Sequence, residues 1–302
     1  MRPHRLAGGC ELSVAEALAE AVAAACGLSL DAASLRPVGG GSINTAARLE
    51  SDAGPVFLKT NRPDGYEMFA AEAEGLAELA AAGAVRVPRV FGASVDAGRA
   101  WLLLEYLELG PADGACRGRL GTGLAALHRH IAERHGWHRD NTIGSTPQPN
   151  GPDDDWVRFL AEQRIGFQLD LAARNGHGRA LGADGAALLA RLGDFFTDYT
   201  PVPSLLHGDL WGGNFAAAGG EPVIYDPAVY YGDRETDIAM TELFGGFGPE
   251  FHAAYAEAWP LDDGYPLRRD LYQLYHVLNH LNLFGGAYLS RARALLRRLL
   301  AA

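Results

Sequence analysis

Two aspartates and an asparagine stand at a distinctive spacing in the second half of this 302-residue chain. Asp209 lies in the segment 207–214, His-Gly-Asp-Leu-Trp-Gly-Gly-Asn, so that Asn214 follows it by five residues. Asp226 comes 17 residues after Asp209, directly behind the apolar run 223–225. Phosphoryl transfer uses such a set, because one carboxylate accepts the proton of the acceptor hydroxyl while an amide and a second carboxylate hold Mg²⁺. We therefore predict that Asp209 is the base and that Asn214 and Asp226 are the metal ligands.

The same three residues also have a plainer interpretation. Aspartate and asparagine beside glycine or proline are ordinary turn residues, and each of the three taken alone fits that role. Their combination with a lysine-bearing strand and a glycine-rich segment upstream favours a kinase.

The upstream lysine is Lys59, which stands alone in the apolar segment 56–60. That segment is predicted as a strand, where a lysine can reach the α- and β-phosphates of a nucleotide, and Glu72 in the following helix can pair with it. A lysine on an edge strand could instead face solvent, and Glu67 and Glu74 compete with Glu72 for the pairing role.

Three consecutive glycines, Gly39 to Gly41, precede the lysine strand and are followed by Ser42. They do not form a Walker A motif, because no Gly-Lys-Ser/Thr follows them. Their position before the lysine strand predicts a glycine-rich loop, or lip, that covers the phosphates of the nucleotide. The backbone N–H groups of Gly40 and Gly41 and the hydroxyl of Ser42 would then approach those phosphates.

The elements that must position these residues divide the chain into a β-rich first third and a helical remainder, joined near residues 105–110. Period-two and period-3.6 hydrophobic patterns separate strands from helices. Besides 56–60 and the strand before it, strands are predicted at 87–92 and 101–107. Helices are predicted at 13–26, 66–82, 120–130, 156–175, 186–199, 251–259 and 267–302, and 141–155 is predicted as a long polar loop. The fold class is therefore α+β.

Composition excludes several classes of protein. The chain is 48% hydrophobic with five Trp, which rules out intrinsic disorder. Its 26 basic and 37 acidic residues give a net charge of −11, which disfavours binding to nucleic acid. No apolar run is long enough to span a membrane, no secretory signal is recognisable, and three cysteines suit a reducing compartment. A cytoplasmic protein is expected.

Several longer segments resemble the fructosamine-3-kinase (ketosamine kinase) family, whose relatives include the aminoglycoside phosphotransferases. The resemblance runs from about Ser13 to the C-terminus. It is carried by Gly-Gly-Gly-Ser-Ile-Asn at 39–44, Asp-Ala-Gly-Pro-Val-Phe-Leu-Lys-Thr-Asn at 52–61, Ile-Gly-Ser-Thr-Pro-Gln at 143–148, the segment 207–214, Phe-Gly-Gly-Phe at 244–247 and Leu-Asn-His-Leu-Asn at 278–282.

This resemblance implies a bilobal protein-kinase-like fold, with residues 1–107 as the N-lobe and 108–302 as the helical C-lobe. It implies ATP and Mg²⁺ as cofactors and supports the roles given above to the base, the metal ligands and the Lys59–Glu72 pair. It further implies that Glu105, Tyr106 and Leu107 contact adenine, and that Asp237 is the buried aspartate that braces the catalytic loop.

Two positions depart from the family pattern. Many members have, at the position of Ser42, a cysteine that is tied to redox-sensitive dimerisation. This chain lacks that thiol. The position of Ala70 is often glutamate in relatives, which favours Glu72 as the partner of the lysine.

Two residues are candidates for acceptor binding, each with a structural alternative. Trp211 could present its indole to the C–H face of a sugar, or it could pack between the lobes. His280 could lie near the substrate, as the resemblance implies, or it could be a core histidine whose hydrogen bonds are satisfied within the helical region.

The function implied is ATP-dependent phosphorylation of the 3-hydroxyl of a ketosamine (a fructosyl- or ribulosyl-amine formed by glycation), and hence deglycation. The partner is a small ketosamine or glycated amine, and a monomer or weak dimer is expected. One alternative is an aminoglycoside or other small-alcohol phosphotransferase, for which Asp153-Asp154-Asp155 is the one acidic run. A second is a pseudokinase scaffold, which the complete set of polar groups disfavours.

Overall fold

The computed structural model describes residues 14–39 and 44–302. The predicted lip residues Gly40, Gly41 and Ser42 lie outside the described residues. Two compact units share the chain: the first comprises Met1–Ala70 and Val90–Tyr106, the second Ala71–Arg89 and Leu107–Ala302.

The first unit is built on a five-stranded antiparallel sheet in the order β1-β2-β3-β5-β4. A helix α1 (Val14–Cys26) precedes β1 (Leu30–Val38), β2 (Thr45–Ser51), β3 (Val56–Asn61), β4 (Val90–Asp96) and β5 (Arg99–Glu105). Leu18 and Val22 of α1 pack on buried apolar residues of the sheet such as Leu49 and Trp101. The central strand is β3, so Lys59 lies between Ala46 on β2 and Leu102 on β5.

Most of this sheet follows the sequence prediction. The hairpin β2–β3 is confirmed, whereas β1 was not predicted. None of the nine residues of β1 is fully buried, so its sequence shows no clear alternation of apolar and polar residues. Strand β4 begins only at Val90, because the prolyl nitrogen of Pro88 cannot donate a hydrogen bond to a neighbouring strand.

The long helix after the lysine strand is confirmed residue by residue. A 3₁₀ turn (Pro63–Gly65) leads into α2 (Tyr66–Ala82), whose first turn belongs to the first unit and whose remainder belongs to the second. The helix stops at Gly83, whose φ of 64° is one that glycine adopts without strain.

The second unit is mainly helical. Its helices are α3 (Gly114–Leu127), α4 (Trp156–Phe159), α5 (Phe167–Ala172), α6 (Gly178–Leu189), α7 (Glu235–Leu243), α8 (Gly248–Ala258), α9 (Tyr265–Phe284) and α10 (Leu289–Ala301). Leu160–Gly166 and Ala173–His177 are π-helical, and Leu192–Phe196 and Gly286–Tyr288 are 3₁₀ turns. Its strands are β6 (Leu109–Gly110), β7 (Asn141–Ile143), β8 (Thr146–Gln148), β9 (Ser204–Leu206), β10 (Phe215–Ala218), β11 (Glu221–Ile224) and β12 (Tyr230–Gly232). No helix within the described residues is both long enough and apolar enough to cross a membrane.

Four predictions for this unit were wrong in part. The helix predicted at 186–199 ends at Leu189, and the one at 267–302 is broken at Gly285, where φ is 85°. The helix predicted from residue 120 begins at Gly114, because the carboxylate of Asp113 accepts a capping hydrogen bond from the N–H of Cys116 at 2.7 Å. The segment 141–155 is not a structureless loop, since it contains the hairpin β7–β8.

The core of the second unit contains a histidine that must stay neutral. His276 on α9 is buried, and neither of its ring nitrogens has a hydrogen-bond partner among the described residues. Burial, followed by the charge of the neighbouring His280, lowers the pKa of His276 to about 3. Since the unfolded chain binds a proton there near pH 6.5, the stability held by the neutral histidine is fully present above that pH and is lost on acidification.

We expect the free energy of unfolding to fall by about 1.4 kcal/mol between pH 7.5 and 5.5 because of this one group. His276→Leu should remove that part of the pH dependence, while His130→Gln, at an exposed position, should leave it intact. Urea unfolding of the three proteins at both pH values measures the difference. An unchanged pH slope in His276→Leu would contradict the assignment.

Candidate active site

The predicted base lies on a turn that only glycine can form. Strand β9 pairs with β12 and leads directly into His207, Gly208 and Asp209. Gly208 has φ of 83°, and a Cβ at this position would clash with the carbonyl oxygen of Ala228. The chain therefore turns sharply at the end of a buried strand and leaves Asp209 half-buried at the tip.

Asp237 holds this turn in place. Its carboxylate accepts hydrogen bonds from the backbone N–H groups of His207 (2.8 Å) and Gly208 (2.9 Å), and it lies 3.2 Å from Nε2 of His128. Burial by itself would raise the pKa of Asp237, but these partners outweigh it and hold the pKa below its usual range. The bracing role predicted for Asp237 is confirmed.

A short hairpin closes the interval between Asn214 and Asp226. Strand β10 pairs with β11, with Phe215 opposite Ile224, and the N–H of Tyr225 donates to the carbonyl oxygen of Asn214 at 3.1 Å. Asp226 itself has φ of 55°, a left-handed conformation that few residues other than glycine, asparagine and aspartate accept readily. The two predicted metal ligands thus stand side by side at the open end of the hairpin.

The amide of Asn214 is oriented by the turn at Asp209. Its Nδ2 donates to the carbonyl oxygens of Asp209 (2.9 Å) and Asp226 (3.3 Å) and to Oδ2 of Asp209 (3.3 Å). Its Oδ1 accepts no hydrogen bond from the described residues. An amide oxygen left in this way beside the Asp226 carboxylate suits a hard cation such as Mg²⁺, which prefers oxygen ligands and keeps several waters.

The described residues contain no group of three or more His, Cys, Asp or Glu side chains suited to a metal ion.

The carboxylate of Asp209 is close to two other carboxylates, and this changes its pKa. Burial, followed by the charges of Asp226 and Asp237, raises the pKa of Asp209 to about 7, even though the hydrogen bond from Asn214 acts to lower it. A bound cation beside Asp226 would shift this pKa back down, so metal binding would favour the ionised base.

The segment after Asp226 is held by residues that the sequence analysis did not single out as functional. Nδ2 of Asn141 donates to the carbonyl oxygen of Val229 (2.8 Å), and Nε2 of Gln148 donates to that of Ala228 (3.1 Å). The phenolic O–H of Tyr275 in turn donates to Oε1 of Gln148 at 2.6 Å. The hairpin 141–148 therefore braces the segment that follows Asp226, and the polar residues of the hairpin were the available signal in the sequence.

The nucleotide candidates occupy defined places within the units to which they belong. Lys59 is buried on the central strand β3 of the first unit. Glu105 ends β5, and the N–H of Tyr106 donates to the carbonyl oxygen of Pro55 at 3.2 Å. Leu107 is half-buried and is the first residue of the segment Leu107–Ala302 of the second unit. Glu72 lies on α2. Their nucleotide roles and the Lys59–Glu72 pair remain predictions.

Trp211 presents an open aromatic face beside the catalytic turn. Its side chain is 41% exposed, and its ring lies edge-on to Phe244 with centroids 6.3 Å apart. The indole lies over Gly213, where a Cβ would clash with the ring. Phe244 begins the Phe-Gly-Gly-Phe segment, whose other phenylalanine, Phe247, is buried and stacks on Phe215 at 5.4 Å.

His280 continues this aromatic surface. Its ring lies 4.8 Å from that of Phe244, and its Nδ1 is 2.8 Å from the carbonyl oxygen of His276. The two asparagines near it in sequence contact a glutamine instead of aromatic rings. Asn282 donates to Gln168 through Nδ2, and Asn279 accepts a hydrogen bond from Nε2 of the same glutamine. The two asparagines therefore hold α9 against α5, and His280 alone of the three joins the aromatic surface.

Comparison with known proteins decides the family. The family model described as fructosamine kinase matches residues 14–302. This chain belongs to the fructosamine kinase family. It is therefore a phosphotransferase enzyme, and a non-catalytic scaffold is not favoured.

Relatives and solved structures agree with this placement. A probable ketoamine kinase of Synechocystis is 46% identical over 267 residues, which cover 88% of this chain and 90% of the relative. A chloroplastic protein-ribulosamine 3-kinase of Arabidopsis thaliana is 42% identical over 86% of this chain and 80% of its own length.

A Thermobifida fusca crystal structure assigned as a fructosamine-3-kinase superposes with a TM-score of 0.84 at 34% identity, covering 94% of this chain and 99% of that one. An aminoglycoside phosphotransferase at 14% identity and TM-score 0.61 shares the fold. The α+β, protein-kinase-like fold class is thereby confirmed.

Proposed function

We propose that this fructosamine kinase family member transfers the γ-phosphoryl group of ATP to the 3-hydroxyl of ketosamines. The observation that carries the proposal is the turn at Asp209, where a half-buried carboxylate with a raised pKa is bonded to an amide whose oxygen is left for a cation. The names of the relatives, ketoamine kinase and protein-ribulosamine 3-kinase, support the acceptor class.

In this mechanism Asp209 orients the acceptor hydroxyl and takes up its proton as the phosphoryl group is transferred. The brace from Asp237 holds the turn, and the Asn214 amide holds the Asp209 carboxylate in position. Asn214 Oδ1 and the Asp226 carboxylate would hold Mg²⁺, which when bound neutralises phosphate charge. Lys59, with Glu72, and the lip residues Gly40, Gly41 and Ser42 would contact phosphate, while Glu105, Tyr106 and Leu107 would contact adenine.

The acidic run 153–155, which could have bound a cationic aminoglycoside, forms ion pairs and a helix cap within the protein. Asp153 pairs with Arg158 and Asp154 with Arg134, while Asp155 caps α4 by accepting from two backbone N–H groups. Each carboxylate already has a partner, so the run does not form an open anionic subsite. This favours a ketosamine over an aminoglycoside as the acceptor.

The direct test is ATP turnover with a small panel: fructosyl-lysine, ribulosyl-lysine and an aminoglycoside. We expect Mg²⁺-dependent ADP release with at least one ketosamine, and a product phosphorylated at the 3-hydroxyl, which phosphorus NMR identifies. Turnover confined to the aminoglycoside would overturn the proposal. Since a 3-phosphate makes the adduct labile, release of the free amine from the product would support a deglycation role. A cytoplasmic location and a monomeric or weakly dimeric state remain predictions.

A prediction about the acceptor follows from the exposed indole. Trp211→Ala should raise KM for the ketosamine roughly 5- to 30-fold, corresponding to about 1 to 2 kcal/mol of lost apolar contact. KM for ATP and the melting temperature should stay nearly constant, because the ring is exposed and lies two residues after the proposed base. Steady-state kinetics with each substrate varied, together with thermal unfolding, measure both. A lower melting temperature with an unaltered ketosamine KM would assign Trp211 to packing instead.

A further inference from the structure

An aromatic row leads away from the catalytic turn. After Trp211 and Phe244 it continues through His280, whose ring is 5.5 Å from that of Phe284 and 5.2 Å from that of Tyr288. Eight large hydrophobic side chains are exposed in the described part of the chain, and the three aromatic ones among them are Trp211, Phe244 and Phe284. Exposed aromatic area is thus concentrated in one row that starts beside Asp209.

A cation flanks this row. The guanidinium of Arg291 lies 5.7 Å from the centroid of Phe244, and its Nη2 donates to the carbonyl oxygen of Leu243 at 3.0 Å. Arg291 has no carboxylate partner among the described residues, unlike Arg298 of the same helix, which pairs with Asp270 at 2.8 Å. A guanidinium fixed by one bond keeps donors for an anionic ligand.

The charge of the surrounding helix points the same way. Helix α10 carries four arginines and no acidic residue, in a chain whose net charge is −11. Arg291 lies in the first turn of α10, where the helix dipole also favours an anion. The end of the aromatic row therefore carries local positive charge, although the net charge of the chain is negative.

We propose that Phe244, His280, Phe284 and Arg291 form an outer acceptor subsite that binds the amine-derived part of the ketosamine and prefers one bearing a carboxylate. The inference rests on the proposed function and adds the class of amine. With the sugar on Trp211, the carbon chain attached to its nitrogen lies along the rings, and a carboxylate at its end meets the guanidinium of Arg291. An amine ending in a second ammonium group meets the same guanidinium and is repelled.

The test uses three ketosamines of equal length that differ only in terminal charge, made from γ-aminobutyrate, γ-aminobutyramide and putrescine. We expect kcat/KM for the carboxylate compound to exceed that for the amide about fivefold, and the putrescine compound to be the poorest of the three. The preference should shrink at high salt, because the ion pair is partly exposed. Arg291→Gln should abolish the preference, so that kcat/KM for the carboxylate compound falls to about that for the amide, while Arg291→Lys should keep part of the preference.

The control is Arg297→Gln on the exposed surface of the same helix, which should retain the full preference. Equal use of the three compounds by the unaltered enzyme, or a preference that survives Arg291→Gln, would overturn the inference while leaving ketosamine kinase activity in place. Loss of turnover of all three compounds in Arg291→Gln would also overturn it, since a specificity residue spares the neutral compound. Failure to phosphorylate any of the three, with turnover of fructosyl-lysine or ribulosyl-lysine retained, would overturn the subsite alone. Failure with those two lysine compounds as well would overturn the proposed function.

Discussion

Asp209→Asn should lower kcat by on the order of 10² to 10⁴, the range expected when a positioned base is lost. Asparagine has the same shape, keeps an oxygen toward Nδ2 of Asn214, and leaves the backbone bonds from His207 and Gly208 to Asp237 intact. The catalytic turn should therefore survive, and the affinity for ATP should be nearly unchanged. Single-turnover kinetics and calorimetric titration with a non-hydrolysable ATP analogue separate the two quantities.

The matched control is Asp198→Asn, at an exposed aspartate outside the site, which should have unchanged kcat. A variant at Asp209 with near-normal kcat would remove Asp209 from the role of base. A variant with low kcat and a comparably weakened ATP affinity would show that the carboxylate acts on the nucleotide rather than on the acceptor.

The second large effect is expected at the metal ligands. Asp226→Asn should raise the Mg²⁺ concentration needed for binding of an ATP analogue by about 10²-fold, because it removes about 3 kcal/mol of charge attraction while keeping one donor oxygen. Asparagine is the informative replacement, since the φ of 55° at this position is tolerated by asparagine but strained for alanine. Asn214→Ala should give a smaller rise, because an amide ligand coordinates without neutralising charge.

Magnesium titrations at a fixed concentration of the analogue measure both shifts, and thermal unfolding without magnesium serves as the control for structural damage. Unchanged magnesium dependence in both variants would contradict the metal role. A lower melting temperature together with a normal magnesium requirement in Asp226→Asn would mean that the residue serves the turn and not the ion.

How far the sequence predicts the structure depends on the range of the interactions involved. Helix α2 follows the sequence prediction because its apolar period and the stop at Gly83 are local signals. Strand β1 is not predicted, because its residues are only partly buried and carry no alternating hydrophobic pattern. The break at Gly285 is not predicted either, because apolar residues recur at helical spacing on both sides of it. Short strands such as β9 and β12 are stabilised by pairing with a distant segment, and four residues or fewer carry little periodicity.

The sequence by itself was sufficient to propose which residues carry the chemistry and in what order they stand. Asp209, Asn214 and Asp226 are recognisable because phosphoryl transfer needs those groups, and their spacing reflects one turn and one hairpin that are close along the chain. The bracing of the segment after Asp226 came from the tertiary structure, because the hydrogen bonds that Asn141 and Gln148 donate to Val229 and Ala228 join residues far apart in sequence. The aromatic row with Arg291 likewise exists only after α7, α9 and α10 pack together, since exposure and ring contact across helices leave no periodic trace in the chain.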